Sequence, residues 1–262
     1  MSETVIITNR QGKRIVGDLH LPAEKQDKYP LVLVVHGFKG HKDQGWTTEA
    51  AQRLSEEGVA AYRFDLTNGI GESDGDLVNI TMTGNIEDIE DVLGYFQKQD
   101  FVDESRIGLA GHSLGAMEIL ISAGKRNDIK TIVAMSSATN EDLGKRKEKE
   151  LQEIEEKGYF KVFSRSKDKW YKVGKQFLED RMGLDFLGFV KGIKCPTLVL
   201  HGKGDETCDF AGARKTFESL CCEKDFIELP EEIPHTYRQP EHIRAAVGPM
   251  VEWMKKYLVN NE

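Results

Sequence analysis

The residues best suited to covalent chemistry lie in the stretch Arg106–Ala116, which reads R-I-G-L-A-G-H-S-L-G-A. Ser113 stands at the centre of a G-x-S-x-G pattern, with the apolar run Ile107–Ala110 before it and the apolar run Ala116–Ser122 after it. That order predicts a buried strand entering a helix with no loop between them. The middle residue is then forced into a strained conformation, tolerable because Gly111 and Gly115 carry no Cβ to clash. Such a turn lifts the Ser113 hydroxyl over the sheet edge, beside the free N–H groups of a helix start, which is the place for a nucleophile. A hydroxyl attacks only when a base takes its proton, and the base needs an orienting acid. In a strand–nucleophile–helix arrangement these follow the serine, acid first and histidine second, on loops after later strands. Strand Thr197–Leu200 runs into H-G-K-G-D with Asp205 at the tip of the turn, and strand Phe226–Leu229 runs into Pro230–Tyr237, which carries His235. Asp205 is therefore the expected acid and His235 the expected base; Glu206 and Asp209 lie past the turn.

The tetrahedral intermediate of acyl transfer needs two N–H donors aimed at its oxyanion. Leu114, the residue after the nucleophile, supplies one. The other is expected from H-G-F after strand Leu31–Val35, where Gly37 lets the backbone turn inward and the Phe38 N–H donates. Because that donor is backbone, the Phe38 side chain remains available to line an acyl pocket. His36 is expected to hold this loop by hydrogen bonding, and His112 to point down into the fold as a packed side chain. His20, His41 and His242 lack metal-ligand spacing, no H-E-x-x-H occurs, and the glycines of Asn68–Gly71 fit neither phosphate-binding fingerprint. No metal and no cofactor are expected.

The elements that must position these residues alternate. Val5–Thr8 and Arg14–Leu21 pattern as two antiparallel strands, the second with one apolar and one wet face. Leu31–Val35, apolar at every position, patterns as a central parallel strand covered on both sides. Helices are expected over Trp46–Glu57, Ile80–Gln99, Phe210–Leu220 and His242–Leu258, and strands over Val59–Asp65 and Thr131–Met135. Strands alternating with helices indicate a mostly parallel central sheet flanked by helices, an α/β class. Residues 137–194 break the rhythm. A Lys/Glu-dense stretch, Glu141–Glu156, precedes Tyr159, Phe160, Val162, Phe163, Trp170, Tyr171 and Phe177, and Tyr159–Phe163 can pair with Trp170–Val173 as a short hairpin. A structureless loop of that length is improbable in a compact domain, so 137–194 is expected to fold as a lid inserted into a core of 1–136 and 195–262. Trp170, Tyr171 and Phe38 are the expected apolar walls of a substrate pocket.

Composition narrows the partners. The 262 residues carry a net charge of −8, with 31% charged and 39% hydrophobic. That balance excludes a nucleic-acid footprint and disfavours an anionic membrane. The first ten residues lack a secretory pattern, no run approaches a membrane span, and Cys195, Cys208, Cys221 and Cys222 form no C-x-x-C pair. A cytoplasmic location with free thiols is expected. The aromatic insertion also offers a surface for pairing two copies, so a homodimer is among the expected partners beside a small-molecule ester.

His36–Gly40 (H-G-F-K-G), Asp65–Gly75 (D-L-T-N-G-I-G-E-S-D-G), G-H-S-L-G, Cys195–Asp205 (C-P-T-L-V-L-H-G-K-G-D) and His235 together resemble the α/β-hydrolase superfamily over nearly the whole chain. The H-G-F loop and the inserted hairpin look like the cinnamoyl (feruloyl) esterase group, although the histidine region reads E-I-P-H-T-Y where G-x-x-H-x-F is frequent. The resemblance implies the α/β-hydrolase fold with Ser113, His235 and Asp205 as the triad, Phe38 and Leu114 as oxyanion donors, and serine carboxylesterase activity on short acyl or aryl esters. A thioesterase, a monoacylglycerol lipase or an aminopeptidase-like amidase would share this machinery. A non-catalytic binding protein on the same fold is the reading from another class.

Overall fold

The run Leu31–Val35 is apolar at every position because both of its faces are covered. In the computed structural model, which describes residues 2–145 and 148–260, it forms β3 (Tyr29–Val35), buried along its whole length. Leu31, Leu33 and Val35 face one core, shared with α2 (Met82–Phe96) and α3 (Leu114–Gly124). Val32 and Val34 face a second core, shared with α1 (Gly45–Glu56) and α8 (Pro240–Leu258). The two-residue period of a strand thus distributes one apolar run between two helical layers.

Around β3 lie β1 (Ser2–Thr8), β2 (Arg14–His20), β4 (Ala60–Phe64), β5 (Val102–His112) and β6 (Thr131–Met135), with β9 (Thr197–Gly202) and β10 (Lys224–Leu229) completing one sheet. Its order is β1-β2-β4-β3-β5-β6-β9-β10. The β1–β2 and β2–β4 pairs are antiparallel and every other pair is parallel. The parallel strands therefore present their C-terminal ends at one edge, where the crevice of an open α/β sheet forms. Helix α2 begins later than its periodicity suggests, because the Thr81 hydroxyl caps it by accepting from the Gly84 N–H, which leaves Ile80 outside. Among the described residues no helix is long and apolar enough to cross a membrane.

Between β6 and β9 the chain forms α4 (Glu148–Lys157), a hairpin of β7 (Tyr159–Ser164) and β8 (Lys169–Gly174), α5 (Gln176–Met182) and α6 (Phe186–Gly192). Tyr159 pairs with Gly174 and Phe163 with Trp170. Residues 146 and 147 of the Lys/Glu-rich stretch lie outside the described residues. Not all of this segment stands apart from the core. A Cβ on Gly124 of α3 would meet the Phe189 carbonyl at 2.2 Å, and one on Gly192 would meet the Gly124 carbonyl at 2.7 Å. Backbone-to-backbone contact of that kind makes α6 part of the helical layer over the sheet.

Strand β2 departs from its expected wet face. Asp18 and Val16 on that face are buried, because Lys42 and Arg63 close over Asp18 with contacts of 3.0 and 2.9 Å to its Oδ2. Arg63 also donates to the Lys42 carbonyl at 2.7 Å, and the Lys42 N–H donates to Asp65 Oδ1 at 2.6 Å. Burial opposes the charge on Lys42, yet its bonds to Asp18, Asp43 and Glu72 outweigh that and raise its pKa. This cluster pins the far end of the loop that leaves β3. Asp18→Ala takes one carboxylate from two buried cations, which keep Asp43, and is expected to destabilise the fold by about 2 kcal/mol in urea unfolding.

Candidate active site

Ser113 sits between β5 and α3 with φ 57° and ψ −119°, outside the ordinary regions for a residue with a side chain. Its neighbours hold it there. The Ser113 N–H donates to the Met135 carbonyl at 2.9 Å, and its own carbonyl accepts from Ala138 at 3.0 Å and Met117 at 3.2 Å. A Cβ on Gly115 would lie 2.4 Å from the His36 oxygen and 2.6 Å from the Val35 oxygen, and one on Gly111 would lie 2.7 Å from the Gly115 oxygen. The end of β3 thus rests on the first turn of α3 through backbone alone.

The same closeness places the H-G-F turn. A Cβ on Gly37 would meet the Ser113 Cβ and the His112 oxygen, each at 2.9 Å. Buried His36 orients the turn: its Nε2 accepts from the Leu66 N–H at 3.3 Å, so its Nδ1 carries the proton and donates to the Gly37 carbonyl at 3.0 Å. Burial holds this imidazole neutral, overriding Asp65. The Gly40 N–H donates to the same carbonyl at 2.8 Å. In a trans peptide the C=O and the following N–H point in opposite directions, so drawing the Gly37 carbonyl one way turns the Phe38 N–H the other way. Among the described residues, the N–H groups of Phe38 and Leu114 make no backbone hydrogen bond. Both are available to an oxyanion.

Asp205, after β9, accepts at Oδ1 from the N–H groups of Thr207 (2.9 Å) and Cys208 (2.8 Å), and at Oδ2 from His235 Nδ1 (2.7 Å). Burial opposes its ionisation, but these donors outweigh it and bring the carboxyl to about 2. With Nδ1–H committed to Asp205, His235 Nε2 faces Ser113 Oγ at 2.9 Å as an acceptor. The structure therefore brings Ser113, His235 and Asp205 into one hydrogen-bonded line. Cys208 is buried, and burial raises its pKa so that it stays a thiol.

Other side chains brace this line. His112 is buried: its Nε2 donates to the His235 carbonyl at 2.8 Å, and its ring packs against those of His235 and Tyr237 at 4.9 Å each. Burial, helped by His235, lowers its pKa to about 3, so it remains a neutral donor. Tyr237 stands where the resembling pattern carries phenylalanine, and its hydroxyl bonds Ser136 Oγ at 2.9 Å. Phe38 stacks on Phe177 at 5.2 Å with planes 10° apart. The Lys39 ammonium donates to the Phe163 carbonyl at 3.1 Å, fastening the hairpin to the oxyanion turn.

Beside His235 opens a groove of about 900 Å³ between this turn, the start of α1, the hairpin tip and the loop Thr236–Arg238. Phe38 lines it; Trp170 and Tyr171 do not. Strand alternation is the reason. Phe160 and Val173 pair on the inner face of the hairpin with Val162 and Tyr171, which pack against the main core. Trp170 pairs with Phe163 on the opposite face and is 62% exposed.

Under the oxyanion turn, a narrow cavity is shared by Gly37, Phe38, Leu114 and Glu118. Glu118 is fully buried, accepts from Asn85 at 2.7 Å through Oε1, and has no partner at Oε2. Burial pushes its pKa up to about 8 despite that bond, so it is protonated near neutrality.

A model of the prolyl oligopeptidase family matches residues 79–261. An uncharacterized 31.7 kDa protein of Escherichia coli is 30% identical over 210 residues, covering 74% of this chain and 70% of its own. The esterase YitV of Bacillus subtilis, itself described as putative, is 26% identical over 258 residues, 92% of this chain and 94% of the relative. The structure of Est1E from Butyrivibrio proteoclasticus with bound ferulic acid superposes with a TM-score of 0.84 at 22% identity, covering 97% of this chain and 99% of that one. At that identity the likeness establishes the shared fold.

Gly37→Ala drives the oxyanion turn away from Ser113 and is expected to lower kcat by about 10²-fold, measured on a chromogenic ester with folding checked by circular dichroism. For Glu118, the folded state keeps a proton that the unfolded chain releases near 4.5. Stability should therefore fall as pH rises from about 4.5 to about 8. Glu118→Gln keeps the bond to Asn85 without the ionisation, so its advantage in urea melts should grow across that window and then level.

Proposed function

The chain belongs to the prolyl oligopeptidase family and is a hydrolase of the α/β-hydrolase superfamily, and from that premise we propose that it is a serine carboxylesterase acting on short acyl or aryl esters. The observation that carries this reading is the unbroken line from Asp205 through His235 to Ser113, with contacts of 2.7 and 2.9 Å. Nε2 of His235 takes the hydroxyl proton as Ser113 Oγ attacks the ester carbonyl. The N–H groups of Phe38 and Leu114 hold the resulting oxyanion. The imidazolium, steadied by ionised Asp205, returns the proton to the leaving alcohol, and the acyl group stays on Ser113. Water, activated by the same Nε2, then releases the acid.

Phe38, backed by the buried Phe177 on which it stacks, offers an apolar wall for an aryl group of the substrate. The ferulic acid held by Est1E, a protein of the same fold, agrees with an aryl substrate. The family's peptidase members make amide cleavage the second reading. An enzyme that holds a substrate's terminal amine needs carboxylates free to do so. The one carboxylate among the groove-lining residues, Asp43, is already bonded to Arg63 and Lys42, which favours esters.

Ser113→Ala is expected to cut hydrolysis of p-nitrophenyl acetate by at least about 10⁴-fold with an unchanged far-UV spectrum, and a fluorophosphonate probe should label Ser113 alone. Retained turnover or an unlabelled chain would remove the serine mechanism. Faster cleavage of aminoacyl anilides than of esters would select the amidase. Asp205, its carboxyl brought to about 2, should stay ionised across the assay range, so no loss of kcat/KM above about pH 4 should trace to it.

A further inference from the structure

The groove beside His235 has a charge opposite to that of the molecule. The chain carries a net −8, yet Arg165, at the hairpin tip, and Arg238, three residues after His235, both line this groove. Neither makes a hydrogen bond or ion pair among the described residues. The Lys39 ammonium and His41 lie along the same wall. The acidic residue there, Asp43, is neutralised by Arg63 at 2.6 Å and Lys42 at 3.2 Å. Arg165 and Arg238 thus line one concave site next to the His235 loop without partners among the described residues, and a guanidinium is the side chain suited to binding carboxylate or phosphate in bidentate fashion.

The side of the ester that enters the groove follows from the chemistry. His235 Nε2 must reach the leaving oxygen to protonate it, so the alcohol portion departs along the loop that begins at Thr236. That loop forms one wall of the groove, with Trp46 and His112 also lining it. Resting on the esterase reading, we propose that this groove is the leaving-group site and that it selects esters whose alcohol carries an anionic group, held by Arg165 and Arg238. The negative field of the whole chain repels such a substrate at a distance, and the arginine pair offsets that repulsion only within the groove. The preference therefore depends on where the anion sits in the substrate, and an anion on the acyl side gains nothing.

Two phenyl esters that share one acyl group test this. 4-Acetoxybenzoate carries a carboxylate on its leaving group; methyl 4-acetoxybenzoate is its neutral counterpart, and each rate is divided by that ester's own rate with hydroxide. The wild type should favour the anionic ester in kcat/KM by about tenfold or more, and the ratio should shrink as salt is added. In the Arg165→Gln/Arg238→Gln variant the ratio should fall to one or below. 4-Acetoxyphenyl phosphate should follow the carboxylate, and a larger ratio for it would identify phosphate as the better-fitting anion. Monomethyl succinate, with its anion on the acyl side, should show no preference over dimethyl succinate. A wild-type ratio near one, or a preference that survives the double substitution, overturns the leaving-group site while leaving the esterase reading intact. Failure to cleave either acetoxybenzoate, together with no labelling of Ser113, removes the esterase reading itself.

Discussion

The arrangement depends on one close contact, the backbone of β3 lying against the first turn of α3. The carbonyls of Val35 and His36 approach Gly115 more closely than any Cβ would permit. That approach fixes the helix start directly beside the oxyanion turn, and Ser113 takes up the strain with a positive φ. Strain of this kind persists only where the surroundings over-determine it. Here they do: the backbone of Ser113 is bonded to β6, to α3 and to Ala138. Leu114, Ser113 and Gly37 consequently form one backbone-held unit in which the distance from the Ser113 Cβ to the N–H donors does not depend on any side-chain rotamer.

The other half of the site is built differently. Asp205 and His235 stand on loops, and side chains hold them: Tyr237 on Ser136, His112 on the His235 carbonyl, and the N–H groups of Thr207 and Cys208 on Asp205. His112 connects the halves. It follows Gly111 at the end of β5 and precedes Ser113, so the strand that delivers the serine also holds the histidine backbone in register with it. A protonated His112 would place a second cation against His235, and its burial prevents this.

This division explains what could be read from the sequence. Gly111, Ser113 and Gly115 act through backbone sterics within a few residues, and Asp205 and His235 each end a recognisable strand, so local pattern locates all of them. The contact of His112 with a loop 123 residues away leaves no mark in local pattern. The hairpin is legible from its aromatics, but the face that each presents is set by register, and pairing Phe163 with Trp170 turns Trp170 outward. Asp18 reads as part of a wet face because its cover comes from Lys42 and Arg63, two other segments of the chain. For the same reason α6 reads as part of an appended lid although Gly124 and Gly192 let it join the layer over the sheet.

Two buried carboxyl groups near the serine show how environment, not residue type, sets charge. Asp205 collects three donors and falls to about 2, whereas Glu118 collects one and rises to about 8. Each state suits its position. In the proposed mechanism a negative charge behind His235 would stabilise the imidazolium formed as the serine gives up its proton. A negative charge on Glu118, beneath Phe38 and Leu114, would instead oppose the charge that develops on the oxyanion, and the low dielectric of the cavity would magnify the opposition. Supplying Glu118 with more donors would lower its pKa and create that opposition. Its unpartnered Oε2 is therefore consistent with the chemistry of the site: too few hydrogen bonds keep the carboxyl neutral where a charge would work against the reaction.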